Sequence, residues 1–226
     1  GSQGVDAFLF LDGASISGVV DGGGGEDGLD YGRYSTPVFF DAALSTATGT
    51  GSVQNITSVT GSGNAADQLL GPAANVTWII NGENSGQIEL SESLSSIRFS
   101  QFKNLFGSDG GSDDFLFESG GIFDGAVYGG NGSGVDGLVV ESDSDPGVFS
   151  LVHSAGSQEQ TVSEGTFMLA DGTSRGAITF TGIEPLVSVD GNTTMISGSS
   201  QADNFFIDYS FDADSGETLK NALACR

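Results

Sequence analysis

Aspartates set behind glycine-rich turns are the residues of this chain whose type and spacing could do chemistry. Gly22-Gly-Gly-Gly-Glu26-Asp27-Gly-Leu29 is one such stretch, and Gly129-Gly-Asn-Gly-Ser-Gly-Val-Asp136-Gly-Leu138 is a looser second. Tight glycine turns can aim main-chain carbonyls and carboxylate oxygens at one point, and calcium takes about six to eight oxygen ligands. Asp27, Asp30 and Asp136 are therefore candidate calcium ligands, with Asp113 and Asp114 as further acids of the same kind. A competing reading needs no metal: each aspartate caps its own turn by accepting local amides. The acids Asp109, Asp113 and Asp114, and the run Glu141, Asp143 and Asp145, also suit solvated loops.

Little else points to catalysis. His153 is the only histidine, it follows Leu151-Val152, and nothing in the sequence ties it to a serine or an acid. No nucleophile elbow, phosphate-binding loop or zinc spacing occurs. Paired carboxylates of the kind a glycosidase uses lose their diagnostic value among 30 acidic residues. The lone Trp78 reads as a packing residue rather than a sugar platform. The expectation is a protein that is not an enzyme. A carbohydrate-active parallel β-helix, a polysaccharide lyase or hydrolase, is the alternative.

Charge narrows the partners. The formal net charge is −24, and the 6 cations (Arg33, Arg98, Lys103, Arg175, Lys220 and Arg226) are scattered singly. No basic patch exists to meet phosphates, so neither nucleic acid nor an anionic membrane surface is expected as a partner. Such a charge is offset by solvent, salt or bound cations. No apolar run is long enough for a membrane span. With one cysteine, Cys225, no intramolecular disulfide can form. No leader peptide is visible, and Gly1-Ser2 reads as a cloning remnant, so a leader and flanking repeats would lie outside this sequence. The sequons at Asn55, Asn75, Asn131 and Asn192 matter only in a eukaryotic host.

The elements that must position these turns repeat. Asp6-Ala-Phe-Leu-Phe10 returns as Asp113-Asp-Phe-Leu-Phe117 and as Asp203-Asn-Phe-Phe-Ile207, with a weaker copy at Asp67-Gln-Leu-Leu70. The first two copies run on in parallel to Leu29 and Leu138, with offsets of 107 at the phenylalanines and 109 at the leucines. Two residues have entered the glycine turn of the second copy. Turns absorb insertions and packed strands do not, so the unit reads as strand, turn, strand. The intervals Asp6–Asp27, Asp27–Asp67, Asp67–Asp113, Asp113–Asp136 and Asp136–Asp203 are 21, 40, 46, 23 and 67 residues. These lie near multiples of about 22, the size of one coil of a parallel β-solenoid. The spacing predicts an all-β fold, a right-handed parallel β-solenoid (β-helix) of about nine coils. With coils about 4.8 Å apart, its body would be roughly 43 Å long. A β-sandwich is the rival. Residues 1–210 would form the repeat domain. Residues 211–226 would form a tail or helical cap, with a helix expected over Ser215–Ala224.

Within Asp-x-Phe-x-Phe, alternate side chains share a face. Phe8, Phe10, Phe115, Phe117, Phe205 and Ile207 should point inward. Leu9, Leu116 and Phe206 should then point outward, where they meet either another layer of this chain, such as 141–176, or a partner surface.

Gly71-Pro…Asn75-x-Thr-Trp78-x-Ile80-x-Gly82…Gly86, then Phe102-x-Asn-Leu-Phe-Gly107, then Asp113-Asp-Phe-Leu-Phe117, resembles a repeat of very large secreted bacterial proteins. Thr179-Phe-Thr-Gly-Ile-Glu-Pro185 is similar to another element of them, and the glycine-aspartate turns resemble the calcium-binding nonapeptides of RTX proteins. Together they cover most of residues 4–210. The resemblance implies a filamentous-haemagglutinin-like or adhesin-like module, secreted to the bacterial cell surface. Its role would be structural or adhesive, in a filament or fibre, with calcium as a stabilising ion. Its partners would be neighbouring repeats, copies of itself, or a cell-surface glycan or protein. It supplies no catalytic residues.

Overall fold

The computed structural model describes residues 1–90, 96–118, 120–130, 134, 136–140, 148–154, 162–168, 174–181, 183, 187–189, 193–197, 205–211 and 218–225. Side chains are described through residue 139 of that set and at 178–181 and 183. Every element is a strand. The chain begins β1 (Ala7–Leu11), β2 (Ile16–Asp21), β3 (Gly28–Arg33), β4 (Phe39–Asp41), β5 (Thr46–Ala47), β6 (Thr50–Gln54), β7 (Ser58–Thr60) and β8 (Gln68–Leu70). It continues β9 (Val76–Gly82), β10 (Ser85–Leu90), β11 (Ser96–Ser100), β12 (Asn104–Phe106), β13 (Asp113–Phe117), β14 (Gly125–Tyr128) and β15 (Gly137–Val140). It ends β16 (Val148–Ser154), β17 (Val162–Met168), β18 (Ser174–Thr181), β19 (Val187–Val189), β20 (Thr193–Ser197), β21 (Phe205–Phe211) and β22 (Thr218–Cys225).

The first sheet has the order β1-β3-β7-β11-β10-β9-β13-β15-β19-β22-β21, and the second β20-β16-β17-β18-β14-β12-β8-β4-β5. A third, small sheet pairs β2 with β6. Most neighbours are parallel and come from successive passes of the chain, as in β1-β3-β7-β11 and β4-β8-β12-β14-β18. Wherever register aligns inward positions, apolar side chains stack. In the second sheet Phe40, Leu69, Leu105, Val127 and Phe180 follow one another in register, and all are buried. In the first sheet Trp78, Phe115 and Leu138 do the same, with the Trp78 and Phe115 rings stacked at 5.3 Å. Burial at about 25 cal/mol per Å² of apolar surface makes these ladders the main cohesive term.

The expectation of uniformly parallel pairing is corrected in four places among the described residues, the first being β4 and β5, which pair antiparallel at the edge of the second sheet. β9, β10 and β11 form an antiparallel meander in the first sheet, and β16, β17 and β18 form one in the second. At the far end β19, β22 and β21 are antiparallel too. The first meander arises because Glu83-Asn84 is a two-residue link, too short for a crossover to a parallel strand. Asn84 takes the left-handed backbone that such a link needs (φ 45°). Two antiparallel steps restore the original strand direction, so β13 resumes parallel pairing on β9.

The helix expected over Ser215–Ala224 is also corrected. Residues 218–225 are β22, held between β21 and β19. A helix of about ten residues is marginal alone, whereas a strand with partners on both sides satisfies its main-chain groups, and tertiary pairing overrides helix propensity.

Gly86 sits opposite both Phe99 and Ile80 in this meander, and a Cβ there would meet the Ile79 carbonyl oxygen at 1.9 Å. The Trp78 and Phe99 rings meet edge to face at 6.0 Å across β10. Gly86→Ala is expected to destabilise by about 1–3 kcal/mol in urea unfolding, the usual range for overpacking.

Candidate functional site

Asp6, Asp27, Asp67, Asp113 and Asp136 lie at the turns that lead into the first or second sheet, and the carboxylate of each accepts a main-chain amide. Asp27 is buried, and its Oδ1 accepts the Asp6 amide at 2.7 Å, while its carbonyl accepts the Thr57 and Ser58 amides. Asp136 is buried too, and its Oδ1 accepts the Asp113 amide at 2.9 Å. The same relation therefore holds twice. The carboxylate of one pass ties down the amide of the corresponding aspartate in the preceding pass. Asp113 in turn accepts the Ser108 amide at 2.7 Å through Oδ2.

Asp67 is the most heavily engaged. Its Oδ1 accepts the Val38 amide at 2.7 Å, and its Oδ2 accepts the Ser62 amide at 2.7 Å and the Asn64 amide at 3.2 Å. The Ser62 hydroxyl lies 2.8 and 2.9 Å from the two oxygens. The Asp67 carbonyl accepts the Asn104 amide and side chain. One wholly buried residue thus links the entrances of β4, β8 and β12. Sequence reasoning marked Asp67 only as the head of a weaker copy of the repeat. The signal that could have found it is Gly61-Ser62, five residues ahead of the aspartate as Ser108 is ahead of Asp113.

Glycine is required where these carboxylates lie on the backbone. A Cβ on Gly22 would meet Asp27 Oδ2 at 2.6 Å and the Asn55 carbonyl at 2.1 Å. One on Gly107 would meet Asp113 Oδ2 at 2.6 Å and the Gly129 carbonyl at 2.4 Å. The glycine ahead of each aspartate lets the carboxylate pack on its own turn and the next pass pack on both.

The other expected ligands differ. Asp30 lies half-buried within β3, where its Oδ1 accepts the Gly32 amide at 2.8 Å, and Asp114 is exposed on the outer face of β13. Among the described residues, no three His, Cys, Asp or Glu side chains converge as a metal-binding group.

No family model matches the chain, and neither a curated protein nor a solved structure is similar to it. The local chemistry therefore carries the argument. Asp113 is its most unusual group. Oδ1 of Asp113 and the indole Nε1 of Trp78 are both buried without a hydrogen bond of normal geometry. Burial pushes the Asp113 carboxyl up to about 6; the Asp136 charge adds to the rise, while the Ser108 amide and hydroxyl and the nearby Trp78 indole oppose it. The folded state thus holds this proton more tightly than the unfolded chain does. That contribution to stability is full below the unfolded pKa of about 3.8 and fades as pH rises through about 6. Asp113→Asn mimics the neutral form, so wild type should lose stability relative to the variant between pH 4 and pH 7, by on the order of 1–2 kcal/mol once solvent screening is allowed for. Urea melts across that range check it; a constant difference would contradict it.

Leu9 is 50 % exposed, whereas Leu116 is half-buried between Ile79 and Val139 on the outer face. Phe206 and His153 lie on β21 and β16, strands whose side chains fall outside those described, as does Cys225 on β22. Asp203, Glu141, Asp143, Asp145, Asn131 and Asn192 lie outside the described residues, as does most of the segment 141–176. Trp78 is fully buried as a packing residue. A hollow of about 120 Å³ is lined by Phe40, Ser45, Val53, Asn55, Ile56 and Ile97, among others, with no carboxylate in its wall.

Proposed function

We propose that this chain is a structural or adhesive module, a right-handed parallel β-solenoid interrupted by antiparallel meanders. It would act as a spacer or fibre segment of a large secreted bacterial surface protein. Its partners would be neighbouring repeats, copies of itself, or a cell-surface glycan or protein. One observation carries this reading: corresponding aspartates of successive passes are bridged carboxylate to amide, Asp27 to Asp6 and Asp136 to Asp113. A repeated unit whose signature residue contacts its own next copy is built for stacking, with each unit touching only its neighbours. The in-register apolar ladders support the same reading. The resemblance to bacterial repeat proteins supports the surface location.

A truncation tests it. In a quasi-one-dimensional stack, removing residues 1–26 costs the contacts of one coil and leaves the rest folded. The shortened chain should keep its strand circular dichroism and a cooperative melt at lower temperature. Complete unfolding would favour the sandwich. Labelling of intact cells with antibody to the module tests the surface location. Calcium as a stabilising ion at the Asp27 and Asp136 turns is tested by a melt with millimolar calcium and an EDTA control. A shift that EDTA reverses supports metal there, since a ligand binding only the folded state raises stability. No shift leaves those oxygens as amide acceptors alone.

A further inference from the structure

We propose that this chain binds a second copy of itself head to tail, the free edge of β21 in one copy pairing in parallel with the free edge of β1 in the next. The inference rests on the coil-stack reading above and names the partner of that stack. Its first ground is strand direction. β1 and β21 are the two outer strands of the first sheet among the described residues. Between them lie four antiparallel steps, at β11-β10, β10-β9, β19-β22 and β22-β21, and every other step is parallel. An even number of reversals leaves β21 pointing the same way as β1, so translation along the stack joins them as parallel neighbours.

The second ground is the repeat. Both edge strands carry the sequence of β13: Asp6-Ala-Phe-Leu-Phe10 and Asp203-Asn-Phe-Phe-Ile207 against Asp113-Asp-Phe-Leu-Phe117. β13 is paired in parallel on both sides, with β9 and with β15. Among the described residues of one copy, β1 has a partner on one side only, and its inward Phe8 is only partly buried at the end of the core.

The third ground is the distribution of exposed apolar surface. Seven of the eight exposed large apolar side chains among the described residues fall within residues 5–44, and Ile122 is the other. Val5, Leu9, Leu11, Ile16, Val19 and Leu44 are 47–77 % exposed around the β1 end. An unpaired edge ringed by apolar side chains, with no lysine or proline on it, is a template for another strand. Because the two joined surfaces differ, the contact is heterologous and does not close at a dimer. The net charge of −24 opposes it, so salt should strengthen it.

The Asp6 carbonyl accepts the Gly28 amide and so faces β3. Strand alternation turns the Leu9 amide to the free side. Leu9→Pro therefore removes a donor from the open edge and no internal bond. A second variant, Leu9→Lys with Leu11→Lys, changes only half-exposed outward side chains and lowers the net negative charge. Sedimentation of the full chain at about 5–200 µM, in 0.1 M and 0.5 M NaCl, reads the result, with circular dichroism as the check on folding. The expected result is a mass that climbs past dimer with concentration and with salt, and at least a tenfold loss of association in both variants at unchanged circular dichroism. A monomer at every concentration and salt, a dimer that grows no further, or variants that associate like wild type would overturn the proposal. The truncation test of the coil stack gives its answer independently of all three.

Discussion

Asp67→Ala is expected to destabilise the fold by about 2–4 kcal/mol, a large share of the roughly 5–15 kcal/mol that a domain has in total. The carboxylate is fully buried and takes the Val38 and Ser62 amides, both at 2.7 Å. Alanine leaves the buried Val38 N–H without an acceptor and the partly buried Ser62 N–H dependent on water. Each stranded donor costs about 1–3 kcal/mol. Asp67→Asn keeps one oxygen but turns an NH₂ toward donors, so its loss should fall between wild type and alanine. Urea unfolding checks the order wild type, asparagine, alanine. Equal stability of all three would mean the three-strand link contributes nothing.

Trp78→Ala is expected to cost about 3–5 kcal/mol, the range for emptying a large aromatic site. The indole is wholly buried, stacked on Phe115 and edge-on to Phe99. Trp78→Phe separates packing from polarity. It keeps a ring in the stack and removes an N–H that lies near Asp113 without a hydrogen bond of normal geometry. Its cost should fall well below that of alanine, because phenylalanine leaves a smaller cavity. The same variant should also raise the pKa of Asp113 further, because the indole holds it down in part. Circular dichroism must be the probe, since Trp78 is the only tryptophan.

The parts of this fold legible in the sequence were those that repeat. Alternation placed Phe10, Phe115 and Phe117 inward, and all three are buried. The aspartate behind each glycine turn was visible, and so was the competition between metal and local amides for its oxygens. Long-range pairing was hidden. β10 carries one fully buried side chain, Ile88, within Ser85–Leu90, too thin a pattern to read as a strand. Its existence depends on the two-residue link at Glu83-Asn84. β22 has helix-forming composition, and only its partners β19 and β21 make it a strand. Asp67 was obscured because its strand, Gln68-Leu-Leu70, lacks the phenylalanines that mark the other copies. One amide partner of each of the Asp27, Asp136 and Asp67 carboxylates lies 21 to 29 residues away, where no local pattern reaches.

The central claim is that buried carboxylates tie the turns of successive passes to one another. Amide hydrogen exchange tests it most directly. Turn amides ordinarily exchange fast, because local opening costs little free energy. The account predicts that the amides of Asp6, Val38, Ser62, Ser108 and Asp113 are protected to the level of the strand ladders around them, and that Asp67→Ala releases Val38 and Ser62 selectively. Fast exchange at all five in the wild-type chain would contradict it.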